Sequence, residues 1–186
     1  MTRSGGEEGF TLVELLTVMV IVTILASIGA SALGGGKDVD LAARQVQNSV
    51  REASREAMAA GPVPAVVLAA GEIAVVRVHV FRDTLTGQQT VALERFADTG
   101  GGVYAWTITQ YQTLPPELAI QGYRSGADVN GGSGPEVMLG ASGQLAINCA
   151  PSGACDASTL YLQQGSEKLR VVTMPLHGAP KIFGGW

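Results

Sequence analysis

The chain has 186 residues and a net charge of −4 at pH 7, with a pI of about 5.1. That is room for one modest domain beside any extended segment, and the negative global field disfavours a nucleic-acid partner while leaving a local basic patch open. Aromatic residues make up 5% and Gly numbers 25, so the core must come mainly from Val, Leu, Ile and Ala between many turns, which favours a small β-rich head.

From Phe10 to Leu33 the chain runs 24 residues with one charge, Glu14. As a helix this segment spans about 36 Å, enough to cross a bilayer. A carboxylate inside it costs about 2.5 to 3.5 kcal/mol at the centre of a membrane helix, less near an interface, and so asks for a partner. Secretory signals place their small-residue cleavage site after the apolar region. Here the polar leader MTRSGGEEG comes directly before it, so a cut at Gly9 leaves the helix on the mature chain.

The run Gly9, Phe10, Thr11, Leu12, Val13, Glu14 resembles the prepilin motif of type IV pilins and type II secretion pseudopilins. It has a Gly before the cut, an aromatic after it and a glutamate four residues on. The resemblance implies cleavage after Gly9 by a prepilin peptidase and methylation of the new Phe10 amine. Physics then supplies Glu14 with a partner, the cationic amine of a neighbouring subunit, and a costly charge becomes a register device for filament assembly. The alternative is a plain signal anchor whose Glu14 snorkels toward the headgroups.

Gly34, Gly35 and Gly36 are expected to break or soften the helix, at about 1 kcal/mol each. With Lys37 they suggest a phosphate loop, but Ser31 and Asp38 stand where that pattern needs Gly and Ser or Thr. From Asp38 an amphipathic helix is predicted, closed by Gly61 and Pro62. Its stripe is Val39, Ala43, Val46, Val50, Ala53, Ala57 and Ala60, spaced four and three apart. The residues are small, so a sheet can approach closely, while Arg44, Arg51, Glu52, Arg55 and Glu56 fall on the other faces as a solvated surface or a partner contact.

Beyond Pro64 the pattern turns to strands. A hairpin is predicted from Val66–Ala70 and Ile73–Arg82, then strands near Thr90–Phe96 and Val103–Tyr111. Alternation puts Tyr104 and Trp106 on one face of the latter, with Trp106 expected in the core and His79 half-exposed on its strand. A short strand near Leu118–Ile120 precedes a loop from Gly122 to Pro135. Asp128 and Asn130 in that loop lack the spacing of a calcium site, and no metal site is expected. Further strands are predicted near Glu136–Leu139, Leu145–Cys149, Thr159–Gln163, Leu169–Met174 and Lys181–Phe183, with turns at Ser142–Gly143, Gly165–Ser166 and His177–Gly178. Cys149 and Cys155 enclose only APSGA. Outside the cytoplasm a disulfide there contributes about 2 kcal/mol; two reduced thiols are the alternative, and zinc would need His79 or His177 as well. Neither GxSxG nor HExxH occurs, so neither enzymatic activity nor a cofactor is expected.

The order of features resembles the GspH/FimT family of pseudopilins and minor pilins. The resemblance is carried by NSVREASREAMAAGPVPAVVL, LPPELAI, VMLGASGQLAI and LRVVTMPLHGAPKIF. It implies an α+β pilin fold, a long N-terminal transmembrane and amphipathic helix packed on small antiparallel β-sheets. The expected division is a leader at 1–9, an assembly helix at 10–33, a glycine joint and amphipathic helix at 34–61 and a periplasmic head at 62–186. The implied role is a type II secretion pseudopilin or a minor pilin at a type IV filament tip, anchored once in the inner membrane. Its implied partners are other minor pilins, the major pilin and the prepilin peptidase. A DNA-binding competence pilin of the FimT type is the alternative, although the C-terminal turn His177, Gly178, Ala179, Pro180, Lys181 offers a single lysine.

Overall fold

A computed structural model of the chain describes residues 12–62, 74–140, 143–175 and 179–186, without the side chains of Glu14 and residues 26–37. The helix α1 covers Leu12–Ala59. Its backbone continues through Gly34, Gly35 and Gly36, so the break that was one expectation does not occur. Glycine weakens a helix without forbidding helical φ/ψ, and long flanking helix carries it across. The chain divides into two compact units, Met1–Gly35 and Gly36–Trp186.

The second unit holds nine strands among the described residues: β1 Val76–Arg82, β2 Gln89–Asp98, β3 Tyr104–Thr113, β4 Ala119–Ser125, β5 Val137–Met138, β6 Leu145–Cys149, β7 Ser158–Gln164, β8 Glu167–Thr173 and β9 Lys181–Gly184. They form a four-stranded sheet in the order β3-β2-β1-β6 and a five-stranded sheet in the order β5-β4-β7-β8-β9, with antiparallel pairing throughout. The first strand of the predicted hairpin, Val66–Ala70, lies outside the described residues, as do Gly71 to Ile73, Ser142 and the His177–Gly178 turn.

The helical stripe does what its spacing predicts. Val39, Ala43, Val46, Val50, Ala53 and Ala57 are at most 2% exposed, and they form one apolar cluster with Val76, Val78, Val80, Ile147, Ile120, Leu160, Leu162 and Val171 from both sheets. Ala60 packs partly buried against it. Polar ties hold the same helix at its flanks. Gln47 donates to the Pro180 carbonyl, Ser54 to the Gly153 carbonyl at 2.7 Å, and Gln110 to Glu52 at 2.9 Å.

Besides the shared core, a buried side chain of one sheet hydrogen-bonds the backbone of the other. The buried Gln89 amide donates to the Ile120 carbonyl at 3.0 Å and accepts from the Ile120 N–H at 2.6 Å, so a β2 residue acts as a backbone partner for β4.

Two expectations are corrected. The strand after Pro116 does not end at Ile120: β4 runs on to Ser125, paired with β7 from Gly122↔Tyr161 to Ser125↔Ser158. Gly122, read as the start of a loop, is a strand residue where the edge strand β5 comes close. A Cβ there would lie 2.3 Å from the Val137 carbonyl oxygen. Trp106 is not core. It shares a face with Tyr104 as alternation requires, but that face is the outer one, where Phe96 packs against both rings at 6.0 and 5.1 Å. Alternation pairs residues on a face without saying which face the helix covers.

Candidate functional site: the N-terminal assembly segment

Of the residues read as functional, Gly9 and Phe10 lie outside the described residues, and so does the Glu14 side chain. Around Glu14 the helix is apolar on every side. Leu12, Val13, Leu15, Leu16, Val18, Met19, Val20, Ile21, Val22, Ile24 and Leu25 are all more than half exposed. A helix that is apolar all round is stable only when something other than water covers it.

Its two described hydroxyls are already satisfied. Thr17 donates to the Val13 carbonyl and Thr23 to the Met19 carbonyl, both at 2.7 Å and four residues back. These bonds let a hydroxyl sit in an apolar medium without the cost of an unmade hydrogen bond. Among the described residues no helix is long and apolar enough to cross a membrane.

In the head, Cys149 and Cys155 are disulfide-bonded, which settles the alternative of two reduced thiols. The bridge closes a tight loop at the end of β6, where Gly153 donates to the Ala150 carbonyl and Ala150 to the Ala154 carbonyl, both at 2.8 Å. Both sulfurs belong to buried residues of the central cluster. Loop-closure entropy across so short a loop is worth about 2 kcal/mol. Reducing the bridge is therefore expected to lower unfolding stability by about that amount, as read by denaturant titration. Replacing both cysteines by Ser should cost more, because two hydroxyls then enter the apolar cluster, and a reducing agent should have no effect on that variant.

Sequence reading missed the group on the outer face of the four-stranded sheet. Glu94 is buried, receiving Arg77 at 2.5 Å and His79 Nδ1 at 2.9 Å, while the Arg77 guanidinium stacks 4.2 Å over Trp106. His79 is half-buried, with Nε2 3.2 Å from the Gln144 amide oxygen. The available signal was alternation: Arg77 and Glu94 face each other in register across β1 and β2. Each charge has its partner here, and the cluster fixes the sheet surface. The aspartate of the loop, Asp128, accepts from the Tyr161 hydroxyl and from the Gly131 N–H.

Residues 6–30 match the prokaryotic N-terminal methylation motif. No curated protein matches the chain, and no solved structure does. The matched segment contains Gly9, Phe10 and Glu14, and the helix with its antiparallel sheets is consistent with the pilin fold. This N-terminus supports a type IV pilin-like protein.

Proposed function

We propose that the chain is a minor pilin or pseudopilin, a structural subunit of the tip or initiation complex of a type IV filament, serving pilus biogenesis or type II secretion. The observation that carries this is the methylation motif opening directly into a helix whose apolar side chains are exposed on every face. Before assembly the segment from Phe10 to Leu33 anchors the chain in the inner membrane with its head in the periplasm, a location in keeping with the disulfide. After cleavage at Gly9 the methylated Phe10 amine keeps its charge, and Glu14 of an adjacent subunit meets it in the low dielectric between packed helices. The role is scaffolding rather than catalysis, with prepilin peptidase and related pilin subunits as the partners.

The test is Glu14→Ala. Removing one member of a buried ion pair costs several kcal/mol, so co-purification with partner subunits is expected to fall at least about tenfold, while membrane insertion of the variant is unchanged. Normal co-purification by the variant would count against the reading.

A further inference from the structure

The C-terminal half of α1 carries two arginines without partners among the described residues. Arg51 and Arg55 are four residues apart on one helical face, both exposed, and among the described residues neither makes an ion pair or side-chain hydrogen bond. Like charges at this spacing repel. Elsewhere on the same helix Arg44 is paired with Asp40 at 2.7 Å and Glu52 is engaged by Gln110.

Both arginines line an open cavity of about 310 Å³ between α1, the disulfide loop and the end of β8. This is at the lower end of the range for ligand pockets. Among the described residues its lining includes no Asp or Glu. Apolar surface comes from Val50, Met58, Met174 and Pro180, and Thr173 on its wall has a buried hydroxyl with no hydrogen-bond partner.

We infer that this cavity is a docking site for a peptide segment of a partner protein that carries a carboxylate side chain beside an apolar one. The guanidinium fork matches a carboxylate bidentately, and the vacant charge complement is acidic. The methionines supply an adaptable apolar wall, which an inorganic anion would leave unused. Two arginines in a concavity neutralise about two phosphates, too few to hold a nucleic acid at physiological salt. The inference rests on residues of the second unit alone and not on the N-terminal motif.

The test uses the full chain in detergent micelles, panned against a randomised heptapeptide library. The expected result is enrichment of Asp or Glu next to Leu, Val or Met. A synthetic peptide of the enriched sequence is expected to bind at least tenfold more weakly to R51Q/R55Q, and equally weakly to wild type once its carboxylate is made an amide. Both arginines are exposed, so the variant should melt with the wild type, and Glu14→Ala should bind the peptide normally. Absence of acidic enrichment, or undiminished peptide binding by R51Q/R55Q, overturns the proposal. So does a DNA duplex that binds more tightly than the peptide through the same two arginines.

Discussion

Gly9→Val is expected to leave the chain entirely as the unprocessed precursor, nine residues longer than the wild-type product in a gel or mass spectrum. The consequence reaches beyond processing. The uncut chain has a neutral amide at Phe10 in place of an amine, and it retains Glu7 and Glu8 close in sequence to Glu14. Glu14 of a neighbour would then face two further negative charges and no cation, a like-charge arrangement that disfavours its ionised form. Assembly should fail with processing, while the apolar segment from Phe10 to Leu33 still inserts. Mass spectrometry reads both steps at once, because the mature wild type should begin at Phe10 and carry one added methyl group. A Gly9→Val product of wild-type mobility would remove the basis for assigning the cut to this position.

What the sequence disclosed and what it withheld divide along a physical line. The buried stripe of α1 was legible because a helix repeats every 3.6 residues and its small residues kept that spacing from Val39 to Ala57. Strand cores such as Val76, Val78 and Val80 were legible for the parallel reason at period two. Trp106 was misplaced because periodicity assigns a face without its direction, and Gly122 because its fit depends on Val137, fifteen residues away. The sheet-joining role of Gln89 and the register that sets Arg77 and His79 beside Glu94 depend on what the fold brings together, whereas helical spacing already put Arg51 and Arg55 on the outer faces. The N-terminal motif was readable from sequence because it is a short linear string, matched over residues 6–30, rather than a product of the fold.

The largest stability effect in the head is expected at Asp128, and it should be one-sided. Asp128 lies 3.8 Å from Arg170 with side-chain exposures of 8% and 6%, so a cation and an anion are held together away from water. The arrangement is uneven. Asp128 also accepts the Tyr161 hydroxyl at 2.8 Å and the Gly131 N–H at 2.9 Å, whereas Arg170 Nε and Nη1 have no hydrogen-bond partner among the described residues. Gly131 closes over the guanidinium so tightly that a Cβ there would overlap Nη1. Asp128→Ala strands a buried cation and also leaves the Tyr161 hydroxyl unpaired, a loss of about 3 kcal/mol. Arg170→Met instead replaces a poorly satisfied charge by an apolar chain of similar length and should cost less than about 1 kcal/mol. Added to Asp128→Ala it should recover most of the loss, which a double-mutant cycle measures.

The pH dependence carries the same signature. The Tyr161 hydrogen bond, ahead of the Gly131 N–H and the neighbouring arginines, holds the Asp128 carboxyl below its ordinary value of 3.8 against the opposing effect of burial. Its contribution is therefore present above that ordinary value and lost as pH falls through the lowered one. Tyr161 is pushed up to about 12, first by burial and then by its bond to Asp128, so its share is present below the ordinary value of 10 and lost as pH rises toward 12. The difference in stability between wild type and Asp128→Ala should accordingly be broad and level between those limits and shrink at both ends. A difference that stays constant through the acid limb would mean that the Asp128 charge contributes nothing and that the aspartate acts only by filling space under the loop.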